Sequence, residues 1–126
     1  MIEAYFQSIL ALVGQMTVVQ SSDLQLEQRS LAIGFIRGEI YFMDGSFLHV
    51  RELVDLGRTP PLIKYVYHYQ RAMGELVFRY DNAPHFPNIA TFPHHKHIEN
   101  ESKVTETHPP DLAMVLNEIE NLLDVE

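Results

Sequence analysis

The sequence predicts an α+β domain: an antiparallel β-meander of about four to five strands with N- and C-terminal helices packed against it. Three observations carry that expectation. Apolar residues recur at helical spacing at both ends of the chain, they alternate between about Thr17 and Asn82, and Asp44-Gly45 interrupts the alternating region as a hairpin turn would. At 126 residues the chain is one domain by length, long enough to bury a core. Its parts divide as 1–14 (helix), 17–82 (sheet), 83–97 (a His- and Pro-rich functional loop), 98–108 (an acidic linker) and 109–124 (helix).

Ile2, Phe6, Ile9, Leu10 and Val13 place one apolar stripe on the first helix, and Gly14 is a plausible stop. TVVQ, RSLAIGFIRGEIYF and SFLHVRELV are strand material. Gly34 and Gly38 suggest a bend or bulge. Asp44-Gly45 reads as a two-residue turn with both positions at positive φ. Gly57 to Pro61 is a loop. In the strand Leu62–Arg71, Tyr65, Tyr67 and Tyr69 share one face, while Lys64, Val66 and His68 share the other.

In the following strand, Glu75–Asn82, Val77, Arg79 and Asp81 oppose Leu76, Phe78 and Tyr80. The turn between these two strands sets the register. A two-residue turn places Lys64 and His68 on the face of Arg79; a three-residue turn places the tyrosines there. Gly74 favours the longer turn and hence the tyrosine face. The last helix opens at Pro109-Pro110-Asp111 and carries Leu112, Val115, Leu116, Ile119, Leu122 and Leu123 on one side. Glu118, Glu120, Asn121 and Asp124 form its wet side.

The net charge of −8 is unevenly placed. Residues 98–126 hold eight acids against Lys103 alone; residues 1–97 hold nine acids against eight bases. The body is therefore nearly neutral, and a local anion site is compatible with the acidic total. With no cysteine, disulfides and thiolate chemistry are excluded. The N-terminal MIEAYFQSILALVGQ contains Glu3 and no basic residue, unlike a secretory signal. No apolar run approaches the ~18 residues of a membrane span. A cytoplasmic protein is expected.

The chemistry concentrates between Arg79 and His97, RYDNAPHFPNIATFPHHKH, which gathers four of the seven histidines. Pro84, Pro87 and Pro93 keep most of it out of regular structure. If the chain extends after Pro93, His95 and His97 point to one side and His94 and Lys96 to the other. Two chemistries fit these residues. One is RNA cleavage by attack of the 2′-hydroxyl, without metal, using histidines as base and acid. Arg79 and Lys96 would then hold the phosphate, and Tyr80, Tyr67 or Phe86 would stack an unpaired base. The other is a divalent metal site built from Asp81, His85, His95 and His97 with an open position for water. Arg79 and Asp81 also have a purely structural reading, since they share a strand face and can pair with each other or with Lys64. Asp81-Asn82 before Ala83-Pro84 is ordinary turn chemistry too.

The run FRYDNAPHFPNIATFPHHKH, Phe78 to His97, resembles the signature of the TumE-type toxins of prokaryotic type II toxin–antitoxin pairs. The DG hairpin, the Tyr-x-Tyr strand and the C-terminal amphipathic helix extend that resemblance over most of the chain. It implies a small cytoplasmic toxin with a cognate antitoxin, typically a helix-turn-helix protein, and marks Arg79, Asp81, Asn82, His85, His94, His95, Lys96 and His97 as a group. By analogy with other toxins of this size, the expected activity is a metal-independent endoribonuclease with no cofactor. His95 or His97 would be base or acid with His85 as partner, Asp81 would orient a histidine or Arg79, and Tyr80, Asn82, His94 and Tyr67 would contact RNA. The rivals are a metal-dependent hydrolase or nucleotide-modifying enzyme using the histidines as ligands, and a non-enzymatic toxin acting by partner binding. A homodimer is permitted by the sheet edges and apolar helix faces.

Overall fold

Each strand pairs with the next along the chain, so a sequence of short hairpins becomes one sheet. The structure, a computed structural model, describes residues 1–123. Its elements are α1 (Ile2–Gln15), β1 (Val19–Gln28), β2 (Ile33–Phe42), β3 (Phe47–Asp55), β4 (Leu62–Gln70), β5 (Leu76–Asp81), β6 (His95–Ile98), β7 (Asn100–Glu106) and α2 (Leu112–Leu123). The strands lie in the order β1 to β7, all neighbours antiparallel. The α+β class stands, but the sheet has seven strands rather than four to five. The two additional strands come from the end of the expected loop, where β6 forms, and from the expected acidic linker, where β7 forms. Asp124, expected on the wet side of the last helix, lies outside the described residues.

Alternation sorts the sheet into two faces. Ile36, Ile40, Phe42, Leu48, Val50, Val54, Tyr65, Tyr67, Tyr69, Phe78 and Tyr80 are buried on the face that both helices cover. There Ile2, Phe6, Ile9 and Val13 of α1 and Leu112, Val115, Leu116 and Ile119 of α2 complete the core. Gly34 permits the approach of α1: a Cβ there would come within 2.6 Å of Ile2 and 2.7 Å of Phe6. Gly38 has φ +147°, and a Cβ would meet the Asp23 carbonyl oxygen at 1.9 Å. Both glycines sit in unbroken register with β1, and the irregularity expected near them falls instead between Val19 and Ser21.

The turns differ instructively from expectation. Asp44-Gly45 belongs to a three-residue loop in which only Gly45 has positive φ; Phe42 N–H donates to Ser46 O at 2.9 Å, and Asp44 Oδ1 accepts from Ser46 N–H. Ala72-Met73-Gly74 repeats the arrangement, with Arg71 N–H donating to Glu75 O. That longer turn was expected, but the tyrosine register was not obtained. Gln70 pairs with Leu76 and Tyr69 with Phe78, so Val77 is an extra residue that shifts the ladder by one. His68 therefore opposes Arg79, Tyr67 opposes Tyr80, and Val66 opposes Asp81. One bulged residue exchanges the face that Arg79 shares with β4.

Glu52 lies among the core residues, fully buried. Tyr5 of α1 and Tyr67 of β4 both donate hydroxyl protons to its carboxylate, Tyr67 at 2.5 Å. Burial pushes the Glu52 carboxyl above its ordinary range, while the two tyrosine hydrogen bonds pull it back only in part. The folded state thus binds this proton at pH values where the unfolded chain has released it, so stability falls as pH rises through that window. Wild type should lose stability relative to Glu52→Gln as the pH climbs above the ordinary glutamate value of 4.5. Thermal denaturation of both proteins across that range reads the difference, and parallel curves would refute it.

Candidate active site

The helix-free face of the sheet carries the complementary, polar half of each strand. Across the strands, one row of paired residues runs Glu39, His49, His68, Arg79, His97, and the adjacent row runs Arg37, Arg51, Val66, Asp81, His95. At the β4–β6 end these rows form the floor of a cleft of about 650 Å³, lined in part by Arg51, Lys64, Arg79, Asp81, His85, Phe86, His95, His97 and Glu101.

Asp81 organises the site. Its Oδ1 accepts from the Ala83 backbone N–H at 3.0 Å and lies 2.8 Å from His95 Nε2; its Oδ2 accepts from Arg79 Nε at 3.0 Å. Arg79 also places Nη1 3.2 Å from His68 Nδ1. Burial, and then the Arg79 charge, hold the His68 pKa below its ordinary value, so the neutral ring accepts this hydrogen bond. Arginine has five N–H donors, and these contacts use two, leaving the remainder for a ligand.

The histidines differ in what their nitrogens do. His95 is 1% exposed, with Nδ1 3.0 Å from Pro93 O and Nε2 on Asp81, so both nitrogens are engaged. His97 donates Nδ1–H to Glu101 O at 2.8 Å, a contact created where residues 101–103 leave the β6–β7 ladder. Its Nε2 is 3.9 Å from Asp81 Oδ2, beyond a hydrogen bond. His97 lines the cleft, and its Nε2 makes no hydrogen bond to a described residue. Phe86 covers the pair edge-on, with ring centroids 4.7 Å from His95 and 5.8 Å from His97. His85 is exposed beside Phe86 and lines the same cleft.

The expected split of the HHKH run occurs, and it removes several residues from the site. Lys96 points to the helix-covered face, where Nζ pairs with Glu118 Oε2 at 2.9 Å and sits over the rings of Phe78 and Tyr80. Tyr80 donates to Glu118 Oε1 on that face, and Tyr67 is fully buried against Glu52, so neither can stack a base. His94 stacks on Tyr65 and bonds its hydroxyl through Nδ1 at 2.8 Å. Asn82 is a staple: Nδ2 donates to Ile63 O, and Oδ1 accepts from Tyr65 N–H. Arg79, Asp81, His85, His95 and His97 remain together, and the stapled Asn82 lines the same cleft. His68 stands beside Arg79, and Arg51, Lys64 and Glu101 also line the cleft; alternation along β3 and β4 was the available signal for Arg51 and Lys64.

Asp81, His95 and His97 each offer a ligand atom within 4.8 Å of the others. Both histidines direct Nδ1 to a backbone carbonyl, as metal-binding histidines commonly do. The donor set therefore suits a divalent ion. Against this fit, both Asp81 oxygens already accept protein hydrogen bonds. His85 is not one of the converging ligands.

Fold and cleft together define a small α+β protein whose open sheet face gathers histidine, arginine and carboxylate groups suited to an anionic substrate. The chain belongs to the TumE toxin family: the family model described as Toxin TumE matches residues 9–123, which takes in every strand and the whole cleft. Family membership assigns it as the toxin component of a toxin–antitoxin system and implies a cognate antitoxin. Comparisons with curated proteins and with solved structures gave no match. No helix among the described residues is long and apolar enough to cross a membrane.

Proposed function

We propose that this toxin is a metal-independent endoribonuclease that works in the cleft on the helix-free face. The observation that carries the reading is His97: it lines the cleft next to Arg79, its Nδ1 proton is fixed on Glu101 O, and its Nε2 has no hydrogen-bond partner among the described residues. That nitrogen takes the proton of an RNA 2′-hydroxyl as the 2′-oxygen bonds to phosphorus. The bond from phosphorus to the 5′-oxygen breaks, and His85 supplies the proton to that leaving oxygen. Arg79 stabilises the charge developing on the phosphorane oxygens. Asp81 and His95 are positioning residues, because the Asp81 carboxylate holds Arg79 and His95, and both His95 nitrogens are already engaged. Phe86 supplies the aromatic surface for a base. The cognate antitoxin, read as a helix-turn-helix protein, would neutralise the toxin as its partner.

A second reading rests on the paired Nδ1-to-carbonyl contacts of His95 and His97. In it these histidines and Asp81 hold a divalent ion, which would supply an activated water. Incubating purified protein with cellular RNA, with and without EDTA, separates the two. Cleavage that persists in EDTA is expected. Cleavage lost in EDTA, with about one zinc or manganese per chain by elemental analysis, would replace the acid–base account with the metal. No cleavage, with toxicity surviving His→Gln changes, would favour action by partner binding.

A further inference from the structure

Where β2 pairs with β3 on the helix-free face, Arg37 stands directly opposite Arg51. Like charges opposed across an antiparallel pair destabilise it. No described carboxylate forms a contact pair with either: neither guanidinium has one within 4.0 Å. Arg37 Nε donates to the neutral Gln25 at 3.1 Å, and Arg51 is exposed. Arg58, Lys64 and Arg71 are likewise exposed without a carboxylate within 4.0 Å, but only Arg37 and Arg51 stand directly opposite one another across a strand pair.

The pair also stands at a junction. A second cleft of about 450 Å³ lies over Asp23, Gln25, Arg37, Gly38, Glu39, His49 and Arg51. Arg51 lines both this cleft and the one containing His97, so the two adjoin at its side chain. The acids of the second cleft, Asp23 and Glu39, share that face in the neighbouring row, where Glu39 is bound by His49 at 2.7 Å and neither carboxylate comes within 4.0 Å of Arg37 or Arg51. In the arginine row, Arg51 stands two strand spacings from Asp81, roughly 10 Å. A phosphate at Arg79 and another at the arginine pair therefore belong to different nucleotides of one strand.

We propose that Arg37 and Arg51 form a second phosphate subsite, so that the substrate is a single-stranded RNA segment lying across β2 to β5. The proposal rests on the ribonuclease reading and extends it from the cleaved bond to the strand that carries it. A single strand is specified because in-line attack by a 2′-hydroxyl needs a nucleotide free to leave helical stacking.

The test is fluorescence-anisotropy titration of a labelled, uncleavable 2′-deoxy oligonucleotide of about 12 nucleotides, a length within known single-strand site sizes. Wild type and Arg37→Gln/Arg51→Gln are compared over a range of salt, and wild type is also assayed for cleavage of the RNA counterpart. The double variant is expected to bind about tenfold or more weakly at low salt. Its slope of log affinity against log salt should be shallower by about 1.4, or about 0.7 for each lost single-strand phosphate contact. A purely structural role would not move that slope. Wild type that cleaves RNA alongside a double variant of unchanged affinity and slope would overturn the subsite alone. Wild type that neither binds nor cleaves would overturn the reading of the whole cleft.

Discussion

Replacing His97 by alanine is expected to lower single-turnover RNA cleavage by about 10²- to 10⁴-fold, the range of a positioned acid or base. Growth inhibition should disappear with it. The protein should remain folded: His97 is on β6 at the cleft floor, and its Nδ1 bond to Glu101 O is local to the β6–β7 connection. Near-ultraviolet circular dichroism and the denaturation midpoint establish folding, while gel-resolved cleavage establishes activity. A folded His97→Ala protein that cuts RNA at the wild-type rate would remove the general base from the account. His85→Ala should fall as well. The two losses should be less than additive if the residues act as one base–acid pair.

Asp81→Ala is expected to have the largest combined effect. The side chain is only 6% exposed and joins Arg79, His95 and the Ala83 amide. Removing it strands a buried imidazole and a backbone donor, at a cost of about 2–4 kcal/mol. Arg79 is roughly one-third exposed and recovers some solvation, which keeps the cost below that of a fully buried pair. Asp81→Asn retains a carbonyl for the Ala83 amide but loses the charge that fixes Arg79. It should therefore recover part of the stability and little of the activity. Chemical denaturation and cleavage assays on both variants provide the check. Equal activity of Asp81→Asn and wild type would show that Arg79 needs no such anchor.

The apolar periodicities made α1, β2 to β5 and α2 legible from the residues alone. Each has a continuous buried stripe: Leu48, Val50 and Val54 on β3, for example, or Leu112, Val115, Leu116 and Ile119 on α2. Strands β6 and β7 carry no such stripe. His95 and His97 alternate with Lys96, and Val104 is the one apolar residue of NESKVTE, so their pairing depends on neighbouring strands rather than on their own pattern. The division of His95 and His97 from His94 and Lys96 was readable because it needs only an extended chain.

The face of Arg79 was not readable in that way. Parity and turn length pointed to the tyrosines, but the bulged Val77 supplies one residue that neither feature counts. The same long-range dependence concealed the fate of Lys96, Tyr67 and Tyr80. Lys96 and Tyr80 meet Glu118, thirty-eight residues beyond Tyr80, while Tyr67 meets Glu52. Arg51 reached the cleft unannounced, and Lys64 only through the register not favoured, for a related reason. Both come from strands far from the histidine-rich run in sequence and adjacent to it only in the assembled sheet.

The most direct test of the central claim is the chemistry of the cut ends, obtained by mass spectrometry of a short RNA cleaved in the presence of EDTA. Attack by the 2′-hydroxyl through His97 leaves a 2′,3′-cyclic phosphate on one product and a 5′-hydroxyl on the other. A 3′-hydroxyl paired with a 5′-phosphate would mean that water, not the 2′-oxygen, attacked phosphorus, contradicting the roles assigned to His97 and His85.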